Sequence, residues 1–156
     1  MQLTSFTDYS LRVLIYLARL PAPGMATISE IADHFQISRA HLVKVANTLA
    51  NRGFVETVRG KGGGMRLARP AHMIGVGEVV RVTEPNMDLV ECFDPKLNRC
   101  VIVRGCFLKA ILYESRRAFM AVLDKYTLAD AAHTGGLPAE AVVSVKIPPT
   151  SDLLNT

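Results

Sequence analysis

Residues 59–64 read Arg-Gly-Lys-Gly-Gly-Gly, and no regular helix or strand interior can run through them. Four glycines in six positions admit positive φ and carry a high backbone entropy cost on ordering, so the chain must turn here. On either side stand the strand-like runs Phe54-Val55-Glu56-Thr57-Val58 and Met65-Arg66-Leu67. Together they predict a β-hairpin. The tip lacks the Lys-Ser/Thr pair that closes a Walker loop into a helix, which sets aside a nucleotide-binding reading. Arg59 and Lys61 instead make it a basic wing able to reach DNA backbone or minor groove.

Three helices are expected before this hairpin. The first spans about 7–20, with Thr7 as cap, Asp8 in the first turn, and Leu11, Leu14, Ile15 and Ala18 on one side. Pro21, Pro23 and Gly24 end it. Thr27-Ile28-Ser29-Glu30 has capping-box spacing and opens a short second helix carrying Ile31, Ala32 and Phe35. Ser38 caps a third, with Leu42, Val45, Ala46 and Leu49 facing inward. Two short helices joined around Gln36 and Ile37 form a helix-turn-helix, whose second helix enters the major groove by its N-terminal residues. Ser38, Arg39, His41 and Lys44 are the candidate groove contacts.

Charge agrees with that assignment. The chain of 156 residues carries a net +4, yet Arg39, Lys44, Arg52, Arg59, Lys61, Arg66 and Arg69, opposed only by Glu56, give residues 39–69 a net +6. The remainder is therefore −2. Such concentration is what phosphate neutralisation calls for.

Beyond the wing, residues 75–84 form a short helix stopped by Pro85, and residues 86–105 lack periodicity. Then Leu108, Ile111, Leu112, Ser115, Phe119, Val122 and Tyr126 recur at helical spacing over about five turns. A stripe this long with little domain left to cover it calls for a partner chain. Thr127-Leu128-Ala129-Asp130 begins a short last helix, and the Gly-, Pro-, Ser- and Thr-rich residues 133–156 read as a disordered tail.

Cys92, Cys100 and Cys106 are the chain's three cysteines and lie within fifteen residues. Three thiolates fill all but one position around a tetrahedral metal or a cubane cluster, and zinc, copper(I) and iron-sulfur all suit them. The odd count, with no signal-peptide pattern at the start, argues for reduced thiols and a cytoplasmic protein. No apolar run approaches a membrane span. The four histidines are scattered, and Glu84 and Glu91 are reserve oxygen ligands. No acid/base pair, activated serine or hydrolytic metal motif is present, so no enzymatic activity is expected.

The chain resembles the winged-helix iron-sulfur regulators that include NsrR, IscR and RirA. The resemblance rests on Leu3-Thr4-Ser5-Phe6-Thr7-Asp8-Tyr9, Leu11-Arg12-Val13-Leu14-Ile15-Tyr16, His41-Leu42-Val43-Lys44-Val45 and Val58-Arg59-Gly60-Lys61-Gly62-Gly63-Gly64. It continues through Val76-Gly77-Glu78-Val79-Val80-Arg81, the three cysteines, and Leu123-Asp124-Lys125-Tyr126-Thr127-Leu128-Ala129-Asp130, covering about 132 residues. It implies a homodimeric repressor of palindromic double-stranded DNA with a cluster in each cysteine loop. Lys109 stands where IscR-like members place a histidine. Asp8 matches the aspartate by which NsrR-like members complete a 4Fe-4S cluster from the partner subunit, so nitric oxide is the implied signal. The seven residues between Cys92 and Cys100 resemble RirA, whose reading is an iron- or oxygen-responsive repressor. A zinc-structured DNA-binding module is the third reading.

The expected architecture is mainly α with a small β-hairpin. A winged helix-turn-helix domain (1–84) is followed by a cluster-binding loop (85–106), a dimerisation helix with a short terminal helix (107–132), and the tail.

Overall fold

The computed structural model describes residues 2–60 and 62–133. Lys61 lies outside the described residues, as do residues 134–156 of the tail expected over 133–156. Among the described residues, six α-helices and one two-stranded sheet follow the expected order: α1 Ser5–Arg19, α2 Ile28–Phe35, α3 Arg39–Asn51, β1 Val55–Val58, β2 Gly64–Leu67, α4 Val76–Thr83, α5 Phe107–Leu123 and α6 Leu128–Ala132.

The first helix begins earlier than expected. Thr4, not Thr7, is the cap: its Oγ1 accepts the Thr7 N–H at 3.3 Å, while its own N–H and hydroxyl donate to Glu84 Oε1 at 2.8 and 3.0 Å. A carboxylate from the end of α4 thus fixes where α1 starts, and Thr7 is left fully buried. In α2 the capping box is complete, with Glu30 Oε2 accepting the Thr27 N–H at 2.6 Å and Thr27 Oγ1 accepting the Glu30 N–H at 3.2 Å. These bonds hold the Glu30 carboxyl below the ordinary carboxylate range. Gln36 then adopts the left-handed conformation (φ 54°), making the tight turn into α3. Ser38 occupies the cap position of α3 but makes no side-chain capping bond.

The hairpin is antiparallel, pairing Val55 with Leu67 and Val58 with Gly64, and Gly60 and Gly62 take the positive φ its tip requires. A short third edge joins it. Ala26 exchanges two backbone bonds with Met65, at 3.0 and 2.8 Å, so closely that a Cβ at Gly64 would sit 2.8 Å from the Ala26 carbonyl oxygen.

One core lies beneath these elements, built on Leu14, Ile31, Leu42, Val45, Leu49, Phe54, Ile74, Val79 and Leu128. Leu128 belongs to α6, which sequence grouped with the dimerisation helix. The chain leaves the winged-helix body after α4 and returns to it through α6. Val76 N–H donates to the Tyr126 carbonyl (2.9 Å), Leu128 N–H to that of Ile74 (2.7 Å), and Arg19 Nε to that of Ala132 (3.0 Å). This return ends α5 at Leu123, so Tyr126, expected on the long stripe, lies in the turn before α6. Thr127 and Asp130 form a second complete capping box.

Between exit and return, α5 contributes no buried residue. Its N-terminal half presents Phe107, Leu108 and Ile111 to solvent, and the preceding loop adds Leu97, Val101 and Ile102.

Candidate nucleic-acid interface and thiol loop

The core side of α3 carries Leu42, Val45, Ala46 and Leu49, which turns Arg39, Ala40, Val43, Lys44 and Asn47 outward. No acidic residue lies on this helix. Ser38 and Arg39 are exposed at its N-terminus with Lys44 beyond them, as a groove-reading helix requires. His41 is exposed but sits at the flank facing α1, where its ring stacks on Tyr9 at 6.2 Å. Ala40, Val43 and Asn47 carry no charge, and a search for cations passes over them.

The basic segment divides in two. Arg66 is paired with Glu56 across the hairpin at 3.0 Å, and Arg69 with Glu78 at 2.6 Å while lying over the Phe54 ring. These two serve the fold. Arg39, Lys44, Arg52 and Arg59 have no acidic partner among the described residues and remain available to phosphate. Lys61 shares the wing tip with Arg59 in sequence only, since it lies outside the described residues.

The thiol loop is anchored by one aromatic contact. Cys92 lies in a single 3₁₀ turn, Glu91–Phe93; Phe93 is buried and stacks on Tyr113 of α5 at 4.1 Å. Arg116 covers both rings and pairs with Asp88 at 3.4 Å. Cys100 follows an Asn98 side-chain turn, its N–H donating to Asn98 Oδ1 at 2.9 Å. Cys106 is the cap residue of α5 and makes no side-chain capping bond. All three thiols are free and partly exposed.

Thiols of this kind suit a soft metal or an iron-sulfur cluster. Within one chain they do not converge. Among the described residues no three His, Cys, Asp or Glu side chains form a metal-sized group, and Asp8 does not join the cysteines of its own chain. Donor chemistry fits the group; a converged site is not preformed, which is common where metal binding and local folding are coupled.

Asp8 instead pairs with Arg12 through two contacts, at 3.0 and 2.8 Å, and is about half exposed. The reserve carboxylates are also engaged, Glu84 by Thr4 and Glu91 by the Arg99 N–H. Lys109 lies over the Tyr113 ring, 5.9 Å from its centroid. Sequence reasoning missed the contacts that join these parts: Glu84 to Thr4, Phe93 to Tyr113, and Arg81 to Asp124, a two-bond pair at 2.7 and 2.5 Å between α4 and the end of α5. Only Phe93 had a local signal, as an aromatic beside Cys92 in an otherwise polar loop.

A family model described as Rrf2, iron-dependent transcriptional regulator, matches residues 3–134. The chain belongs to the Rrf2 family. Among curated Rrf2 relatives, the HTH-type transcriptional regulator NsrR of Bacillus subtilis is 52% identical over 130 residues, covering 83% of this chain and 89% of that one. The NsrR of Shouchella clausii is 46% identical, covering 83% and 87%. Among solved structures, oxidised Staphylococcus aureus CymR superposes with a TM-score of 0.70 at 27% identity, over 88% of this chain and all of that one. T. potens IscR gives 0.68 at 25%, over 84% and 85%. The expected resemblance and the winged-helix fold class therefore hold, and this Rrf2 protein is a transcriptional regulator rather than an enzyme. Among the described residues no helix is long and apolar enough to cross a membrane.

Proposed function

We propose that this Rrf2 regulator is a nitric-oxide-responsive repressor that binds palindromic promoter DNA as a homodimer and carries an iron-sulfur cluster, of 4Fe-4S type, in each thiol loop. The observation that carries the reading is the placement of three free thiols on a loop pinned by Phe93 to a helix with no buried residue. The likeness to curated NsrR proteins supports it.

Cys92, Cys100 and Cys106 would hold the cluster, with the partner subunit's Asp8 as its oxygen ligand. When bound, the cluster supplies iron sites reactive toward nitric oxide. The dimer forms along α5, burying Phe107, Leu108 and Ile111 against their copies. Ser38, Arg39 and Lys44 of each α3 meet the major groove, His41 flanks them, and Arg59 and Lys61 hold backbone or minor groove.

Loop, α5, α4 and α1 are connected in turn by Phe93–Tyr113, Arg81–Asp124 and Glu84–Thr4, and α1 meets α3 at Tyr9–His41. Released thiolate and carboxylate tethers therefore change the spacing of the two reading helices. Abolishing repression this way requires a coupling of about 1–3 kcal/mol between cluster and DNA.

The test is anaerobic isolation with iron and sulfide analysis, then titration of the DNA complex with nitric oxide or, separately, an iron chelator. Bound iron and sulfide with release by nitric oxide is expected, and Cys106→Ala should lose both the cluster and the response. Release by chelator alone favours an iron-responsive repressor, and colourless protein holding zinc a structural module.

A further inference from the structure

Val43 is an apolar side chain 42% exposed on α3, within the span of Arg39, Lys44, Arg52 and Arg59, which have no acidic partner among the described residues. A single exposed valine is ordinary, so its surroundings decide. Ala40, Val43 and Asn47 succeed one another at steps of three and four residues and stack along one helix face, opposite Leu42, Val45, Ala46 and Leu49. The same face carries Arg39 and Lys44, without an acidic partner among the described residues. Valine helps neither helix propensity nor solubility at such a position. The charge around it draws a polyanion, and the apolar group that a duplex presents in its major groove is the thymine 5-methyl. An asparagine beside an apolar side chain is the combination that matches an A·T pair there.

We propose that Val43, supported by Ala40, reads the 5-methyl group of a thymine in each half-site and is a specificity-determining residue of this regulator. The inference rests on α3 being the groove-reading helix. It assigns sequence discrimination to the uncharged centre of the face and leaves Arg39 and Lys44 with orientation and affinity.

Replacing thymine by uracil removes this methyl and nothing else. The full chain, prepared anaerobically with its cluster, is used to enrich a duplex from a randomised pool, and each thymine of that duplex is then changed to uracil in turn. Wild type should lose about fourfold in affinity at one or two positions per half-site, the value of burying one methyl-sized group. Val43→Ala should bind the thymine duplex more weakly and no longer distinguish thymine from uracil at those positions. A wild-type protein indifferent to uracil throughout, or a Val43→Ala variant that keeps the whole penalty, overturns the proposal while leaving DNA binding intact. Failure to enrich any sequence overturns the assignment of α3 and this proposal with it.

Discussion

The two longest helices among the described residues treat their apolar residues in opposite ways. The 15-residue α1 buries Val13, Leu14 and Leu17 in a core shared with α3, α4, β2 and α6, and Thr7 and Ser10 beside them. The 17-residue α5 buries none. Both are amphipathic, so the difference lies in what surrounds them: α1 is central to the winged-helix body, while α5 leaves it and is tied back through Arg81–Asp124 and the Phe93–Tyr113 stack. A helix of this length gains most of its stability from packing rather than propensity. The body is therefore complete within one chain, and in the proposed dimer a second copy finishes the arm.

The largest expected effect lies in the body. Leu14 is fully buried in α1, so Leu14→Ala should cost about 2–5 kcal/mol of unfolding free energy in a urea titration. Ile111→Asp should do something different. Ile111 is 44% exposed, so at concentrations where the chain is monomeric the unfolding free energy from the urea titration should change by no more than about 0.5 kcal/mol. In sedimentation the same substitution should convert dimer to monomer, because a carboxylate buried at an apolar interface lacks a partner. Equal destabilisation of the monomer by both variants would mean that α5 belongs to the core after all.

The same contrast governs what the sequence made legible. Features closed within a few residues could be read: the box at Thr27–Glu30, the start of the last helix at Thr127, the glycine tip, and the buried stripe of α3. Features closed by a distant partner could not. Thr7 reads as well as Thr4 for the start of α1 until Glu84, 80 residues away, takes both hydrogens of Thr4. The Ala26–Met65 bridge, the return of α6 to α1, and the pairing of Arg66 with Glu56 have no local signature. The stripe of α5 was legible, but its periodicity is the same whether a core or a second chain covers it. The thiols were legible as donors by type, and their convergence is not encoded in spacing.

A smaller effect separates two caps that look alike in sequence. Thr27 closes a reciprocal box, whereas Ser38 makes no side-chain capping bond. Thr27→Ala should cost about 1 kcal/mol, and Ser38→Ala only a few tenths. The latter should instead weaken DNA binding, since Ser38 stands at the end of α3 proposed to enter the groove. Comparing urea midpoints with duplex affinities for the two variants separates stability from recognition, and a large stability loss in Ser38→Ala would show that its hydroxyl caps the helix in solution.

The smallest effect concerns acid and tests the joint between the regions. Glu30 and Asp130, in the capping boxes, are held below the ordinary carboxylate range by bonds from Thr27 and Thr127, and Asp124 is lowered by its bond to Arg81. Because these groups are depressed in the folded chain, their stabilisation is fully present above the ordinary carboxylate pKa of about 4 and is lost as pH falls through the folded values. Stability should therefore be flat near neutrality with respect to these groups and decline below about pH 4. The Arg81–Asp124 pair is surface-exposed, so added salt should weaken its share, whereas the boxes, made of short bonds to backbone N–H groups, are less sensitive. Asp124→Asn should accordingly remove the salt-sensitive part of the acid transition and leave the rest. Were the whole transition to persist unchanged in Asp124→Asn at low salt, the Arg81–Asp124 pair would contribute nothing measurable to the joint between arm and body.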